Sequence, residues 1–435
     1  MRKFYVAFTM LLIAVFGFQV HAQNARVQII HNSGDPAARL VDIVVDGTVA
    51  FERVAYREAT PYVDLAAGPH TVRIDVYNGD EDEITLSSQD FNIDLVADET
   101  YVVVATGVLT PGDFTANPDG VDTGFDLAIF TGARETSTDP GFIDFLVHHG
   151  ATDAPDVDVN LDLGSSLVPL TTAATEGYKT FSGYTNLSAG GPNTIAITPE
   201  GSSDIVASFI VDPTGLGGQT VNIIASGFLD PLNNQGGASF ALLGVLVDGT
   251  VVTFPEIRDE IVVSDNTGDG TTTWTSDNIY ILDGFVFVED GDTLNIEPGT
   301  VIKGRTGQGA QASALIVARG GYINAQGTST DPIIFTSLVD DTENLNDIPL
   351  GTKGLWGGVI ILGDATLNSE PGETAIEGIP TTEVRGLYGG DNDMDNSGIF
   401  RYVSIRHGST NIGAGNEING LTMGGVGSGT TIEFV

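Results

Sequence analysis

Two patterns of hydrophobic and polar positions divide the chain near residue 255. Before that point, short segments alternate between the two kinds, as in 71–76, where Val72, Ile74 and Val76 are separated by polar residues. Successive side chains of a strand point to opposite faces, so this pattern predicts strands with one buried face. Turn-forming pairs such as Asp46-Gly47 punctuate the segments. Many short strands at this spacing predict antiparallel β-sandwiches.

After Pro255 the apolar segments become shorter and are bounded by Gly, Asn or Asp. Examples are 314–318, 322–326, 333–336 and 358–362. Short strands with sharp turns at quasi-regular spacing are typical of a parallel β-helix, in which each coil is stable only when stacked on its neighbours. The strand predicted at 430–435 has no cap after it, so we expect the chain to continue in a longer reading frame.

The region before residue 255 contains an internal duplication. Five blocks recur in the same order at an offset of about 120 residues, which predicts tandem domains of one topology. The matched blocks are 27–31 with 145–149, 41–43 with 157–159, 62–68 with 184–190, 91–94 with 209–212 and 100–107 with 220–227.

The first 22 residues have the features of a signal peptide. Arg2 and Lys3 precede an apolar run over 4–18, and Val20-His21-Ala22 resembles a cleavage site. The run is shorter than the roughly 20 residues that span a bilayer, so export is favoured over anchoring. We therefore predict a secreted, all-β protein without membrane insertion. The predicted parts are a signal peptide (1–22), a first sandwich (23–135), a second sandwich (140–254) and a β-helix incomplete at its C-terminus (258–435).

The charge and composition of the chain exclude several classes of function. The chain has 58 acidic and 17 basic residues, a net charge of −41 and no cysteine. Nucleic-acid binding requires clustered Lys and Arg, so a nucleic-acid partner is not expected. Without cysteine, thiol catalysis, iron–sulfur clusters and Cys-based zinc sites are excluded. The acidity is consistent with solubility, with adaptation to salt or with binding of divalent cations.

A loop with alternating carboxylates is the candidate metal site. Asp391, Asp393 and Asp395 could converge on one Ca²⁺, which prefers oxygen ligands. The loop is not an EF-hand, because Asn396 and Tyr402 stand where that motif has Gly and Glu. A solvated acidic loop is the alternative. Calcium is thus the one cofactor that the sequence indicates.

No catalytic motif is present. The sequence lacks a Gly-x-Ser-x-Gly elbow, and the glycine run at 424–429 lacks the spacing of a dinucleotide fingerprint. His148 and His149 have no evident third ligand, so a structural role is expected for them, as for His31. Trp356, at the start of an apolar strand, is expected to pack in the core.

Residues 25–254 resemble two copies of the family catalogued as domain of unknown function 4397. The resemblance rests on the strand ending in His31 or His149, the Asp-Pro or Asp-Ala-Pro turn that follows, and the Leu-x-Ala-Gly turn ending at Gly68 or Gly190. It implies extracellular β-sandwich modules without a known activity.

The third part resembles the right-handed β-helix segment of secreted proteins of the Bacteroidetes type. The run Leu-Trp-Gly-Gly-Val-Ile-Ile-Leu-Gly at 355–363 is its most specific feature. Such proteins often carry a C-terminal secretion domain. β-Helix lyases typically combine Ca²⁺ with a basic residue. The basic candidates beside the acidic loop are Lys303, Arg305, Arg319, Arg401 and Arg406.

The resulting hypothesis is a non-catalytic extracellular or cell-surface protein that binds a glycan or a surface protein. A β-helix polysaccharide lyase or hydrolase is one alternative, and a purely structural stalk is another. The reading frame downstream of Val435 would discriminate between them, since a sorting domain there would favour surface display.

Overall fold

The structure is a computed structural model. It describes residues 24–435 except 78–83, 88–89, 172–176, 343–346, 350, 414–415 and 418. The predicted signal peptide, 1–22, lies outside the described residues. The all-β class is confirmed, because the described residues form strands and a few one-turn 3-10 helices. These helices are Pro36–Ala38, Pro111–Asp113, Pro231–Asn233, Gly309–Gln311 and Val384–Gly386. None of the described helices is long and apolar enough to cross a bilayer.

The first sandwich is built from strands β1 to β9. They are β1 (Asn24–His31), β2 (Leu40–Val45), β3 (Thr48–Ala55), β4 (Val63–Ala66), β5 (Gly68–Tyr77), β6 (Ile84–Ser87), β7 (Phe91–Leu95), β8 (Thr100–Thr106) and β9 (Asp126–Thr131). One sheet has the order β4-β1-β8-β9, and the other has β3-β2-β5-β6, with β7 also paired to β5. Inward-pointing apolar residues of both sheets form the core.

The second sandwich repeats this arrangement with strands β10 to β18. They are β10 (Phe142–His149), β11 (Val157–Asp162), β12 (Leu167–Pro169), β13 (Thr185–Ser188), β14 (Asn193–Pro199), β15 (Ala207–Val211), β16 (Thr220–Ser226), β17 (Ala241–Leu246) and β18 (Val251–Thr253). The sheets have the orders β13-β10-β16-β17-β18 and β12-β11-β14-β15. His31 pairs with Ala105 in the first sandwich, and His149 pairs with Ala225 in the second, so these histidines occupy equivalent positions.

One feature of both sandwiches corrects the expectation of purely antiparallel sheets. The central pair is parallel in each, β1 with β8 and β10 with β16. Between the two strands of such a pair the chain passes through the opposite sheet, so it re-enters the first sheet in the original direction. Alternation of polarity does not report strand direction, and the sequence pattern therefore could not reveal the parallel pair.

The two sandwiches pack against each other through one sheet each. At the centre of this interface, the Asn222 side-chain amide donates to Gln28 Oε1 at 2.8 Å, and Gln28 Nε2 donates to Leu246 O at 2.7 Å. Both side chains are buried, so losing either bond would leave a costly unpaired amide. The surrounding apolar residues are Ile30, Tyr62, Val102, Val104, Ala133, Ile224, Leu243 and Val245.

The remaining strands form a parallel β-helix, as predicted, together with two short antiparallel pairs outside its sheets. They are β19 (Asp259–Asn266), β20 (Thr271–Trp274), β21 (Asn278–Val288), β22 (Thr293–Ile296), β23 (Val301–Gly304), β24 (Ala314–Val317), β25 (Tyr322–Gln326), β26 (Ile333–Ser337), β27 (Gly358–Leu362), β28 (Thr374–Ala375), β29 (Leu387–Tyr388), β30 (Gly398–Arg401), β31 (Val403–Ile405), β32 (Asn411–Gly413), β33 (Asn416–Glu417), β34 (Leu421–Gly424) and β35 (Thr431–Glu433).

The β-helix has three faces. β21 turns a corner at Gly284, whose φ of +88° suits glycine, so its first half pairs with β23 and its second half with β24. The first face contains β19, the first half of β21, β23, β26 and β31. The second face contains the second half of β21, β24, β27 and β34. The third face contains β20, β22, β25, β30 and β35.

Large side chains fill the interior of the β-helix. Trp356 is fully buried and lies parallel to Phe335, with ring centroids 6.5 Å apart. The prediction that Trp356 packs in the core is therefore confirmed. Its indole N–H donates to Arg406 O at 2.7 Å, which satisfies the polar atom of this large buried ring. Trp274 is also buried, where it stacks on Tyr280.

Candidate functional site

The third face of the β-helix is polar and nearly neutral. Its inward residues, such as Leu294, Ile323 and Phe400, belong to the core, so the alternate positions point outward. Among the outward positions only Arg401 and Glu433 are charged, and they pair with Nε and Oε2 3.4 Å apart. These positions are Thr271, Thr273, Thr293, Asn295, Tyr322, Asn324, Gln326, Ile399, Arg401, Thr431 and Glu433.

A ladder of side-chain amides runs across this face. Asn295 and Asn324 are register partners on β22 and β25, and Asn324 Nδ2 donates to Asn295 Oδ1 at 3.1 Å. Gln326 Nε2 then donates to Asn324 Oδ1 at 2.7 Å. Each amide has two donors and an acceptor with two lone pairs, so the ladder orients the three groups and leaves hydrogen-bonding capacity for a ligand. All three side chains are half-buried.

The second face, in contrast, is covered. Residues 363–397 form an insertion between β27 and β30 that lies over this face. Ile376 and Ile379 of the insertion pack with Ile316, Ile360 and Leu362, which point outward from the face. These contacts make an apolar seam, so the second face offers the solvent few polar groups.

A carboxylate group lies at the corner between the first and second faces. Asp340, Asp341 and Asp347 bring one ligand atom each to within 4.8 Å of the others, the one such group of three that the described residues contain. Lys303 lies beside it, because its Nζ donates to Asp340 O at 2.7 Å. The sequence analysis missed this group, although the dipeptide Asp340-Asp341 just after a strand was a readable signal.

Asp340 is the buried member of this group. Burial raises the pKa of the Asp340 carboxyl, but hydrogen bonds from Thr336 and Thr342 and the charges of Arg406 and His407 outweigh it and leave the pKa lowered. His407 Nδ1 is 2.8 Å from Thr352 O. The corner thus combines carboxylates with basic side chains.

The predicted calcium loop has a different geometry. Asp391, Asp393 and Asp395 do not bring one carboxylate oxygen each to within 4.8 Å of the others, as the Asp340 group does. Asp393 Oδ1 accepts from Thr366 N at 3.0 Å, and Asp395 Oδ2 accepts from Ser397 Oγ at 3.2 Å. The hydrogen bonds from Thr366 lower the pKa of Asp393. The carboxylates therefore act locally, as turn-forming groups, and the structure does not bring the three together.

The basic candidates separate into two groups. Lys303 and Arg406 lie at the Asp340 corner, where Arg406 Nε donates to Ser404 Oγ at 3.1 Å. Arg305, Arg319 and Arg401 lie elsewhere. Their partners are Asp283 for Arg305, Glu373 and Gly389 O for Arg319, and Glu433 for Arg401.

The histidines of the sandwiches bond to backbone carbonyls. The ring Nε2 lies 2.7 Å from Ala38 O in His31 and 3.0 Å from Pro155 O in His149, and His148 Nδ1 lies 3.0 Å from Thr180 O. Burial lowers the pKa of His31 to about 4, and burial with the neighbouring His149 lowers the pKa of His148 to about 3. Neutral, carbonyl-bonded rings fit the structural role expected of them.

Two parts of the chain match family models. Residues 266–435 match the model described as pectate-lyase like beta helix domain. Residues 25–122, in the first sandwich, match the domain of unknown function DUF4397. The predicted β-helix is thus matched, as is one of the two predicted copies of the sandwich family. Both matches suggest an extracellular protein. No curated protein matches the chain.

Proposed function

We propose that the chain is a secreted, non-catalytic protein that binds a neutral glycan on the third face of its β-helix. The observation that carries the proposal is the amide ladder of Asn295, Asn324 and Gln326 on an open face with one ion pair. Sugar hydroxyls are both donors and acceptors, and amides complement them in both roles. Tyr322, on the same strand, adds an aromatic ring with a polar tip. The net charge of −41 disfavours anionic polysaccharides.

Binding to neutral and acidic oligosaccharides, measured by calorimetry on the full chain, tests this proposal. We expect saturable binding of a neutral hexasaccharide, and a loss of roughly ten-fold in affinity for Asn324→Ala, which corresponds to about 1.4 kcal/mol, the order of one or two lost hydrogen bonds. Thr422→Ala, on the second face, is the matched control and should bind normally. Failure of every neutral oligosaccharide, or equal loss in both variants, would contradict the proposal.

We further propose that the second sandwich belongs to the same family as the first, although the family match covers the first alone. The shared strand order and the equivalent His31 and His149 support this. The buried Gln28–Asn222 contact and the apolar residues around it join the two sandwiches, an arrangement suited to holding the β-helix away from an attachment point. A stalk-like contribution is therefore compatible with glycan binding rather than an alternative to it.

A polysaccharide lyase is the second candidate, favoured by the Asp340 corner. Asp340, Asp341 and Asp347 would hold a calcium ion, which would neutralise acid groups of a uronate, and Lys303 or Arg406 would lie next to the bound sugar. A β-elimination assay, which follows the ultraviolet absorbance of the new double bond, tests this candidate. Activity that depends on calcium and is lost in Arg406→Ala would replace the non-catalytic proposal.

The calcium loop and the secretion signal have direct tests of their own. Calcium binding by Asp391, Asp393 and Asp395 predicts a higher thermal midpoint in millimolar calcium, abolished by Asp393→Ala with Asp395→Ala. Secretion predicts a mature protein beginning at Gln23, which N-terminal sequencing of the exported chain would detect.

A further inference from the structure

An apolar cavity of about 200 Å³ lies between the two sheets of the second sandwich. Side chains of both sheets line it, among them Phe145, Ile195, Ile223 and Leu242. His149 also lines it, and the Nε2 atom of this ring already lies at hydrogen-bonding distance from Pro155 O. A dry apolar cavity of about 150 Å³ is sufficient to bind benzene. The second sandwich therefore has room for a small apolar group.

The cavity is not a property of the fold. The overlapping part of the first sandwich, between Val27, Ile43 and Val103, contains a space of about 20 Å³, although the central strand pairs of the two sandwiches are the same. About one water-sized sphere fits into such a space. One sandwich therefore packs its interior nearly to completion while its duplicate leaves a space about ten times larger.

The cavity reaches the surface. Val206 and Leu229 line it, yet they are 57% and 54% exposed, so they form its mouth. Leu229 is held in place, because its backbone N–H donates to Asp153 Oδ1 at 2.9 Å, and the Asp153 side chain is itself buried. A mouth fixed by such a bond is formed before any ligand arrives, which lowers the entropic cost of binding.

The residues that adjoin the mouth in the sequence are acidic, and they are termed the acidic rim. Three cavity-lining residues, Pro155, Pro199 and Leu229, are each followed directly by an acidic residue. The acidic neighbours are Asp156, Glu200 and Asp230. Glu200 N donates to Asp156 O at 3.2 Å, so two of these neighbours lie together. A carboxylate head group would be repelled at this rim, and a cationic one would be attracted.

We propose that the second sandwich binds the apolar end of a small amphiphile whose head group is cationic or neutral. The apolar tail enters between Val206 and Leu229 and fills the cavity, and the head group stays at the acidic rim. The described residues of the first sandwich enclose the smaller space between Val27, Ile43 and Val103. This binding is independent of the glycan face, and either proposal can fail without the other.

Calorimetric titration of the full chain with hexylammonium and with hexanoate tests the proposal, since the two probes share a tail and differ in charge. We expect one hexylammonium per chain and weaker binding of hexanoate, by about three-fold or more at low ionic strength and less at high salt. Methyl NMR shifts should be confined to cavity-lining residues such as Ile195, Ile223 and Leu242.

Two variants fill the cavity from different strands. Ala225→Leu and Ala207→Leu, both at lining positions, should each weaken hexylammonium binding roughly ten-fold or more. Ala105→Leu, at the position of the first sandwich equivalent to Ala225, is the control and should bind normally. Absence of saturable hexylammonium binding, or undiminished binding in both filled variants, would overturn the site. Hexanoate binding as tight as hexylammonium at low salt would overturn the assignment of the head group.

Discussion

The two sandwiches share one topology and differ in how they fill it. Phe145 and Val147 of the second sandwich stand where the first has Val27 and Ile29, yet the second contains the larger cavity. A larger side chain such as Phe145 in place of Val27 does not ensure a fuller interior, because the volume also depends on what the opposite sheet contributes. In the first sandwich, Phe51 and Val54 of the β3 hairpin pack against the core. The corresponding strand in the second, β12, has three residues. A duplicated fold can thus retain its strand order while its interior diverges.

The largest expected effect of this difference concerns two equivalent phenylalanines. Phe209 is buried, whereas Phe91 is half-buried. Phe209→Ala should lower the free energy of unfolding by about 4 kcal/mol, because the ring is fully buried in the core, and Phe91→Ala by about half of that. Urea denaturation of both variants measures this. Equal losses would indicate that the two interiors are equally well packed.

Substitutions that add side-chain volume should be tolerated better in the second sandwich than in the first. Ala105→Leu has little room and should cost about 2 kcal/mol through overpacking. Ala225→Leu enters the cavity and should be neutral or slightly stabilising, within about 1 kcal/mol of the wild type. Thermal denaturation of the two variants compares them directly. A larger loss for Ala225→Leu than for Ala105→Leu would contradict the cavity comparison.

Acid should destabilise the second sandwich more than the first. The pKa of His31 is about 4 and that of His148 about 3, below the usual value near 6.5, and the pKa of His149 is also lowered. These rings stay neutral in the fold while the unfolded chain takes up protons below pH 6.5. Stability is therefore fully present above pH 6.5 and falls as the pH drops toward 4, by about 2 kcal/mol at pH 5 for each of His31 and His148.

The position of His148 provides the control for this pH dependence. Its counterpart in the first sandwich is Ile30, since each is the residue before the shared histidine. His148→Ile should reduce the loss of stability between pH 6.5 and 4 by about the contribution of one histidine. Hydrogen exchange at pH 5 and pH 7 resolves the two sandwiches. An unchanged decline in this variant would refute the assignment.

The smallest expected effect lies at the interface between the sandwiches. Gln28 and Asn222 correspond to Leu146 and Val102 in the other sandwich, so the amide pair joins positions that are apolar in the duplicate. Gln28→Leu should cost about 1 to 2 kcal/mol, because it leaves buried partners unpaired. Adding Asn222→Val should recover part of that loss. A double-mutant cycle measures the coupling, and strict additivity would argue against the contact.

The sequence patterns predicted strands and duplication better than they predicted chemistry. The alternation of polarity around Val72 and the repeated blocks that end in His31 and His149 are local or periodic features. Such features can be read directly from the sequence. The amide ladder joins Asn295 and Asn324, which are 29 residues apart, so it depends on how coils stack. The alternating pattern Tyr-Ile-Asn-Ala-Gln at 322–326 is consistent with Asn324 pointing outward, but it does not indicate which residue of the adjacent coil lies beside it.

The paths of long connections are a second feature that the sequence patterns could not predict. Asp341 and Asp347 approach each other in the connection between β26 and β27. No repeating pattern in the sequence predicts the path of this connection. Asp391, Asp393 and Asp395 alternate, which would place them on one face of an extended segment. Instead, Asp395 N donates to Asn392 O at 2.9 Å, and this turn directs the carboxylates to separate partners. The volume of the cavity could not be predicted from the sequence, because it depends on the separation of two sheets.

Xenon binding tests the comparison between the sandwiches most directly, because xenon enters dry apolar cavities without needing a polar contact. A crystal or NMR sample of the full chain under xenon pressure would show where the gas binds. We predict xenon in the second sandwich, among Phe145, Ile195 and Leu242, and none between Val27, Ile43 and Val103 of the first. Equal occupancy of both sandwiches, or an empty second sandwich, would contradict the claim that the duplicates differ in their interiors.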